Sequence, residues 1–310
     1  MNLSGVLLVN KPTGMTSHDV IDELRRILDT KRIGHTGTLD PGAEGVMLIC
    51  INQATKVAQF LTDMDKEYQA VIKLGVTTDT YDRAGRVIRT EEDLNISMEE
   101  IKKTILSFTG RIQQTPPIYS AIKQNGKRLY QYARENKKVE ARRREVEIKK
   151  LEILNIDIPW VHLKIACSKG TYIRSLAFDI GEKLGCGAHL FSLCRTRIGP
   201  FRWEDSLGLE KITDIQADGG IKSVLLPIEK AIGHLPSVVV SESFAEKVKD
   251  GIPLKSSSVL AVEGDIKANQ TISLKNEQKR IIAVGKALAN TKDFLNLNSG
   301  NRLFEYLRVI

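Results

Sequence analysis

GHTGTLDPGAEG, residues 34–45, gathers four glycines and one histidine around a single aspartate, Asp40, and leads straight into VMLICI, residues 46–51. That second run is short and apolar, which reads as a buried strand. A glycine-rich loop that ends in a strand is not a dinucleotide fingerprint, because that fingerprint opens a helix. No Gly-Lys-Ser/Thr follows, so it is not a Walker loop. Glu44 lies close to Asp40, but two loop carboxylates alone do not define a glycosidase pair. The chain has no Gly-x-Ser-x-Gly elbow. What is left is one carboxylate before a proline. Pro41 biases Asp40 toward extended backbone, and Gly37 and Gly42 let the flanking chain approach a ligand closely. The same Asp-Pro-Gly is also a common turn in which the carboxylate caps backbone amides. This stretch alone leaves both readings open.

Outward from the loop, GVLLV (5–9) reads as a strand. Ser17 reads as the N-cap of a helix carrying Val20, Ile21, Leu24, Ile27 and Leu28 at helical spacing. Tyr68, Ala70, Ile72 and Leu74 alternate with Gln69, Val71 and Lys73, which is strand periodicity. Ser97 and Glu100 predict a capping box before Ile101, Ile105 and Phe108, with Gly110 as the stop. TPPIYSAIKQNGKRLYQYAREN runs from a proline loop through an Asn125-Gly126 turn into a short helix. CSKGTYIRSL (167–176) puts Tyr172 and Arg174 where a strand hands over to a helix that ends at Gly185. Strands and helices do not alternate regularly, so the prediction is a mixed α+β domain. A boundary falls near GHLPS (233–237), giving a first domain over 1–235 and a small, mostly β module over 236–310 with one short helix around 244–250.

The 310 residues are 42% hydrophobic, enough for a full core, and carry a net charge of +8. The basic balance favours an anionic partner, nucleic acid first. Lys123, Lys127, Arg128 and the run at 137–150 concentrate the positive charge. No stretch approaches the about 18 apolar residues of a membrane span, and the N-terminus lacks a basic leader and a cleavage site. A cytoplasmic protein is expected. The four cysteines, Cys50, Cys167, Cys186 and Cys194, form no CxxC pair. CGAHLFSLC with His189 matches no common zinc spacing, so no metal is expected.

Arg174 in a pocket could hold a carboxylate ionised, and Tyr68 and Tyr172 could stack on a base. One aspartate, one arginine and two tyrosines would form an aromatic slot with a charged floor, suited to an uncharged planar ring on a sugar. Core packing of both tyrosines and a solvated arginine is the alternative for each residue taken singly.

GVLLVNKPTGMTSHDV, GHTGTLDPGAEGV, DKEYQAVIKLGVTTDTYDRAG, TPPIYSAIKQNGKRLYQYAR and KGTYIRSLAFDIGEKLGCGAHLFSLCRTRIGPF together resemble the TruB family, the bacterial tRNA pseudouridine synthases that act on the T-loop uridine at tRNA position 55. The resemblance implies a pseudouridine-synthase fold, α+β with a central mixed sheet and cleft, and a small C-terminal PUA-like domain. It places the catalytic aspartate on Asp40, the active-site tyrosine on Tyr68 and the Tyr-x-Arg pair on Tyr172 and Arg174. It also puts the apolar uracil-pocket residue on Leu193, a T-loop-stacking histidine on His35, and the supporting Lys-Pro pair on Lys11 and Pro12. The chain has Arg142-Arg143-Arg144 where members of the family often carry a proline. The implied reaction is an isomerisation, so it calls for no cofactor. The implied partner is the T-arm of tRNA, flipped open at one base, with a monomer acting alone. Two other readings fit the same charge: an RNA-folding protein without chemistry, and a guide-RNA-dependent relative.

Overall fold

The computed structural model describes residues 3–120, 122–124, 126–135, 141–296 and 302–310. Strands β1 Gly5–Lys11, β2 Ile33–His35, β3 Glu44–Ile51 and β4 Lys66–Leu74 come first. The pair β5 Val76–Thr78 and β6 Val87–Thr90, then β7 Gly110–Gln114 and the short β8 Lys123–Gln124 and β9 Lys127–Arg128, follow. The domain continues with β10 Arg144–Asp157, β11 Trp160–Cys167, β12 Ala188–Ile198 and β13 Phe201–Arg202. Among them lie helices α1 Ser17–Leu28, α2 Ala58–Thr62, α3 Met98–Leu106, α4 Leu129–Arg134, α5 Ile173–Leu184 and α6 Leu209–Ala217. The central sheet runs β1-β3-β12-β4-β11-β10-β7, with β2 beside β3 and β13 beside β12. Its one parallel pairing among the described residues is β3 with β12; the rest are antiparallel, so the sheet is mixed as expected.

The alternation in β4 does what its period requires. Tyr68, Ala70, Ile72 and Leu74 are buried in the main core, which α1 closes with Val20, Ile21, Leu24 and Leu28 and α5 with Leu176, Ala177 and Ile180. Each such leucine or isoleucine contributes roughly 1.5–3 kcal/mol on leaving water. α1 starts one residue earlier than the sequence suggested. Thr16, not Ser17, is its N-cap, in a reciprocal capping box with Asp19. Ser17 is engaged elsewhere: its hydroxyl donates to the Leu39 carbonyl at 2.9 Å and accepts from the Leu39 N–H at 2.8 Å. At α3 the Ser97 side chain does accept from the Glu100 N–H, but the helix ends at Leu106 with Ser107 as its cap. Gly110, predicted as the stop, opens β7 at φ +99°. His35, expected in a loop, stands on β2 opposite Ile49.

The proline loop leads through β8 and β9 into α4. Asn125 and residues 137–140 lie outside the described residues. Beyond them Arg144 opens β10. Part of the basic run is a paired surface: Lys149 meets Asp65 and Lys150 meets Glu152.

From Ser237 a second sheet forms from β14 Ser237–Val240, β15 Val259–Glu263, β16 Thr271–Lys275, β17 Ile281–Ala287 and β18 Phe304–Val309, in the order β15-β14-β16-β17-β18. β16 was not read from the sequence, although Ile272 and Leu274 alternate inward on it. The predicted helix near 244–250 is a turn of α-helix, Glu242–Ala245, continued as 3-10 helix over Glu246–Asp250. Ile281 and Val284 from this sheet, and Ile310 just after it, share an apolar cluster with Val57, Phe60, Ala231 and Ile232 of the first domain.

The glycine that the loop needs most is Gly45. It sits at φ +114°, between Lys11 on β1 and Arg195 on β12, and a Cβ there would lie 2.3 Å from the Arg195 carbonyl oxygen. Gly42, by contrast, is exposed with nothing within 4 Å of an added Cβ. Gly45→Ala is therefore expected to cost at least about 3 kcal/mol from strain and overlap combined. Gly42→Ala should stay within about 0.5 kcal/mol of the parent. Paired urea titrations check the contrast; equal midpoints for the two variants would contradict it.

Candidate active site

The loop at 34–45 is a turn, and its aspartate side chain is turned away from capping it. The Ala43 N–H closes the turn on the Asp40 carbonyl at 3.0 Å. The Asp40 carboxylate instead meets Arg174, the second residue of α5. Arg174 Nε lies 2.8 Å from Oδ2, and Nη2 donates to Oδ1 at 3.1 Å. This is the bidentate fork that a guanidinium makes with a carboxylate. The cation is sunk and the anion presented: the Arg174 side chain is 6% exposed, that of Asp40 40%.

The other faces of the guanidinium are occupied as well. Nη1 donates to the Thr80 carbonyl at 3.2 Å and stands 3.5 Å from Asp82 Oδ2, and Nη2 also donates to the Tyr119 carbonyl at 2.9 Å. Five oxygens thus face the five N–H bonds of Arg174. Asp82 is itself held by the Thr80 hydroxyl at 2.7 Å and the Ala84 N–H at 3.0 Å. Withdrawal from water pushes the Asp40 pKa above the ordinary carboxylate value, with Arg174 pulling it back and Asp82 adding to the rise. A carboxylate of raised proton affinity is a stronger base and nucleophile than an exposed one.

Two buried cations hold the loop from below. Lys11 is fully buried, and its ammonium donates to the carbonyls of Pro12 at 2.7 Å, Met15 at 2.7 Å and Pro41 at 3.4 Å. Three N–H bonds thus meet three carbonyls. Burial lowers the Lys11 pKa to about 8, against the pull of Asp40 and Glu44. Pro12 is exposed and contributes its carbonyl, while the Gly14 N–H bonds the Pro41 carbonyl at 2.8 Å. Arg195 is 1% exposed and donates to the carbonyls of Val46 at 2.9 Å and Gly37 at 3.1 Å, with Thr38 at 3.5 Å. It stands across from Tyr68 in the β12–β4 register. Tyr68 is 8% exposed, and burial raises its pKa while Arg195 opposes. The phenol is therefore neutral at physiological pH.

Tyr172 is the N-cap residue of α5, and burial raises its pKa too. Leu193 lies opposite Ala70 and packs on the main core. His35 keeps its Nδ1 buried with no partner among the described residues. Burial, then Arg195 and His18, lower its pKa, which leaves the ring neutral. The structure thus joins Asp40 to Arg174 directly, ties Lys11 and Pro12 to the same loop through the Pro41 carbonyl, and places Tyr68 beside it through Arg195. Among the described residues no side-chain hydrogen bond joins His35 or Leu193 to that group. Among the described residues no set of three or more histidine, cysteine or acidic side chains could hold a metal, and all four cysteines are free thiols.

Arg195, Asp82 and Gln114 were not singled out from the sequence. Arg195 did leave a signal, since it falls two positions after Leu193 on one strand and so shares its inward face.

A model of the TruB family pseudouridylate synthase N-terminal domain matches residues 25–173, and one of the tRNA pseudouridylate synthase B C-terminal domain matches 174–233. The tRNA pseudouridine synthase B of Geobacillus thermodenitrificans is 46% identical over 260 residues, 82% of this chain and 86% of that protein. The chain belongs to the TruB family of pseudouridylate synthases. A PUA domain model matches 236–303 of this TruB-family chain. A chain in the crystal structure of a Cbf5-Nop10-Gar1 complex superposes with a TM-score of 0.80 at 29% identity, covering 98% of this chain and 84% of that one. A chain of an H/ACA RNP bound to a substrate RNA containing 2'-deoxyuridine gives 0.78 at 28% identity, with the same coverage.

Lys11→Met would take the ammonium from three carbonyls, those of Pro12, Met15 and Pro41, the last keeping only the Gly14 N–H. The expected loss is about 3 kcal/mol, or roughly 6–12 °C in Tm for a chain of this size. A calorimetric Tm within 2 °C of the parent would show that Lys11 does not carry the loop.

Proposed function

We propose that this protein converts uridine to pseudouridine in tRNA, at the T-loop uridine of position 55, with Asp40 as the catalytic carboxylate. The observation that carries the reading is the Asp40–Arg174 fork, a half-exposed carboxylate fixed at two points by a buried cation. The name of the Geobacillus relative supplies the substrate class.

In this isomerisation the N1–C1′ bond breaks, a C5–C1′ bond forms, C5 gives up its proton and N1 ends protonated. Nothing is oxidised or reduced overall, so the residues themselves can supply the chemistry without a cofactor. The base must leave its stack to be reached. Asp40 can serve at C1′ or C6 as a nucleophile, or at C2′ as a base. Tyr68 supplies a neutral ring for stacking on the uracil, with Tyr172 and Leu193 completing the slot. His35, held neutral, suits stacking in the opened loop rather than proton transfer. Lys11 and Pro12 hold the loop that presents Asp40.

For the RNA, Arg142 and Arg144 line a cavity of about 220 Å³ with Pro116, Ile122, Gln124 and Leu129. Guanidinium groups there fit phosphates, whose contacts dominate RNA affinity. In this reading residues 1–235 form the catalytic domain and 236–310 a PUA-like RNA-binding domain. The protein works as a monomer in the cytoplasm, without a protein partner.

Asp40→Asn keeps the size of the side chain and removes its charge. The expected outcome is a loss of at least about 10³-fold in turnover, or about 4 kcal/mol of transition-state stabilisation. tRNA binding and thermal melting should stay close to the parent. In the parent, kcat should fall toward acid as Asp40 takes up a proton, beginning at higher pH than for an exposed aspartate. Folded Asp40→Asn protein that still makes pseudouridine within about tenfold of the parent would overturn the assignment.

A further inference from the structure

We propose that Gln114 is a positioning residue for this reaction: its side-chain amide sets where α5 begins, and so whether Arg174 reaches Asp40 at two points. The inference rests on Asp40 being the catalytic carboxylate.

Gln114 is the last residue of β7, and its side chain is 1% exposed. Its Nε2 donates to the Tyr172 carbonyl at 2.9 Å, and the Tyr172 N–H donates to its Oε1 at 2.7 Å. These two bonds copy the exchange that one strand residue makes with its opposite in an antiparallel pair. Only a group with a donor and an acceptor side by side can make both.

Tyr172 depends on this contact. It is the N-cap residue of α5 but has no side-chain capping bond, and its carbonyl also takes the first helical bond, from the Leu176 N–H at 3.1 Å. The next residue of the same segment adds a second tie, since the Ser175 hydroxyl donates to the Thr115 carbonyl at 2.7 Å. Further along, the Tyr119 carbonyl accepts from Arg174 itself. One stretch of chain therefore fixes the first turn of the helix and supplies an acceptor for its arginine. On its other side Gln114 pairs with Arg144 of β10, which lines the proposed phosphate cavity. A displacement of the α5 start by about 1 Å is the scale of error that costs an active site around 10²-fold.

Gln114→Glu tests this with an internal control. An ionised carboxylate can accept from the Tyr172 N–H but has no proton for the Tyr172 carbonyl; a protonated carboxyl has both. The charged and titratable groups facing the site are Arg144 from β10, Tyr172 and Arg174 from α5, and Asp40 from the 34–45 loop. Burial favours protonation of the introduced carboxyl and the two arginines oppose it.

The measurement is kcat and KM on a T-arm stem-loop from about pH 8 to about pH 5.5, each divided by the parent value at the same pH. At pH 8 we expect kcat about 10–100-fold below the parent, with KM within about threefold. The kcat ratio should climb at least about fivefold toward acid as the carboxyl regains its proton. Gln114→Met, similar in length and uncharged, should lose kcat with no such recovery, and it serves if the carboxylate variant does not fold. A flat ratio near one, a flat loss matched by the fall in Tm, a change confined to KM, or parent-like turnover by folded Gln114→Met would each overturn the proposal. If Asp40→Asn also turns over, the reading of the site has failed. If Asp40→Asn is inactive and Gln114→Glu behaves as the parent, only the role of Gln114 has failed.

Discussion

The site is organised around one buried guanidinium. Arg174 lies out of water with a full positive charge, a position that is costly unless every donor finds an oxygen. Its five N–H bonds face Asp40 twice, Asp82 once and the carbonyls of Thr80 and Tyr119. Those oxygens come from three separate stretches of chain, so satisfying this arginine brings the loop at 34–45, the turn at 79–85 and the segment after β7 together. Of its two carboxylate partners Asp40 is the more open to solvent, its side chain 40% exposed against 22% for Asp82. Its orientation is fixed from behind, and its second face is free to meet a ligand.

The glycines around Asp40 follow from the same constraint. Lys11 and Arg195, both buried, each bond backbone carbonyls of the loop. To reach them the loop must run flush against β1 and β12, and at Gly45 it does so too closely for any side chain. At Gly45 backbone freedom is therefore used to fit the loop onto its supports. Gly34 and Gly42 have open space before them. The second sheet is fastened to the first domain by Ile281, Val284 and Ile310, so an RNA held by both would meet a single surface.

The sequence disclosed the fold where burial is one-sided. Alternation in β4 and helical spacing in α1 and α5 follow from each element turning one face to the core, and both were readable. Thr16 and Ser17 show the limit: two adjacent hydroxyl residues could each cap α1, and the choice is made by Leu39, far along the chain, which takes Ser17. Asp40, Arg174 and the two tyrosines could be grouped by chemistry as a slot, but their roles were assigned only through the family resemblance, because each has an ordinary structural role when taken singly. Gln114 stayed hidden because its partners are backbone groups distant in sequence, which carry no residue signature, and the strand spacing of Arg195 after Leu193 marks a face but not the carbonyls it bonds.

The central claim is that this site acts alone, on one uridine of a folded tRNA arm. Tritium release from a T-arm stem-loop carrying 5-³H-uridine, by the purified protein with no other RNA or protein present, tests it most directly. The account predicts release that levels off at one tritium per stem-loop, with pseudouridine mapped to position 55 and none elsewhere. No release until a guide RNA or protein partner is added, or release from other uridines of the stem-loop, would contradict it.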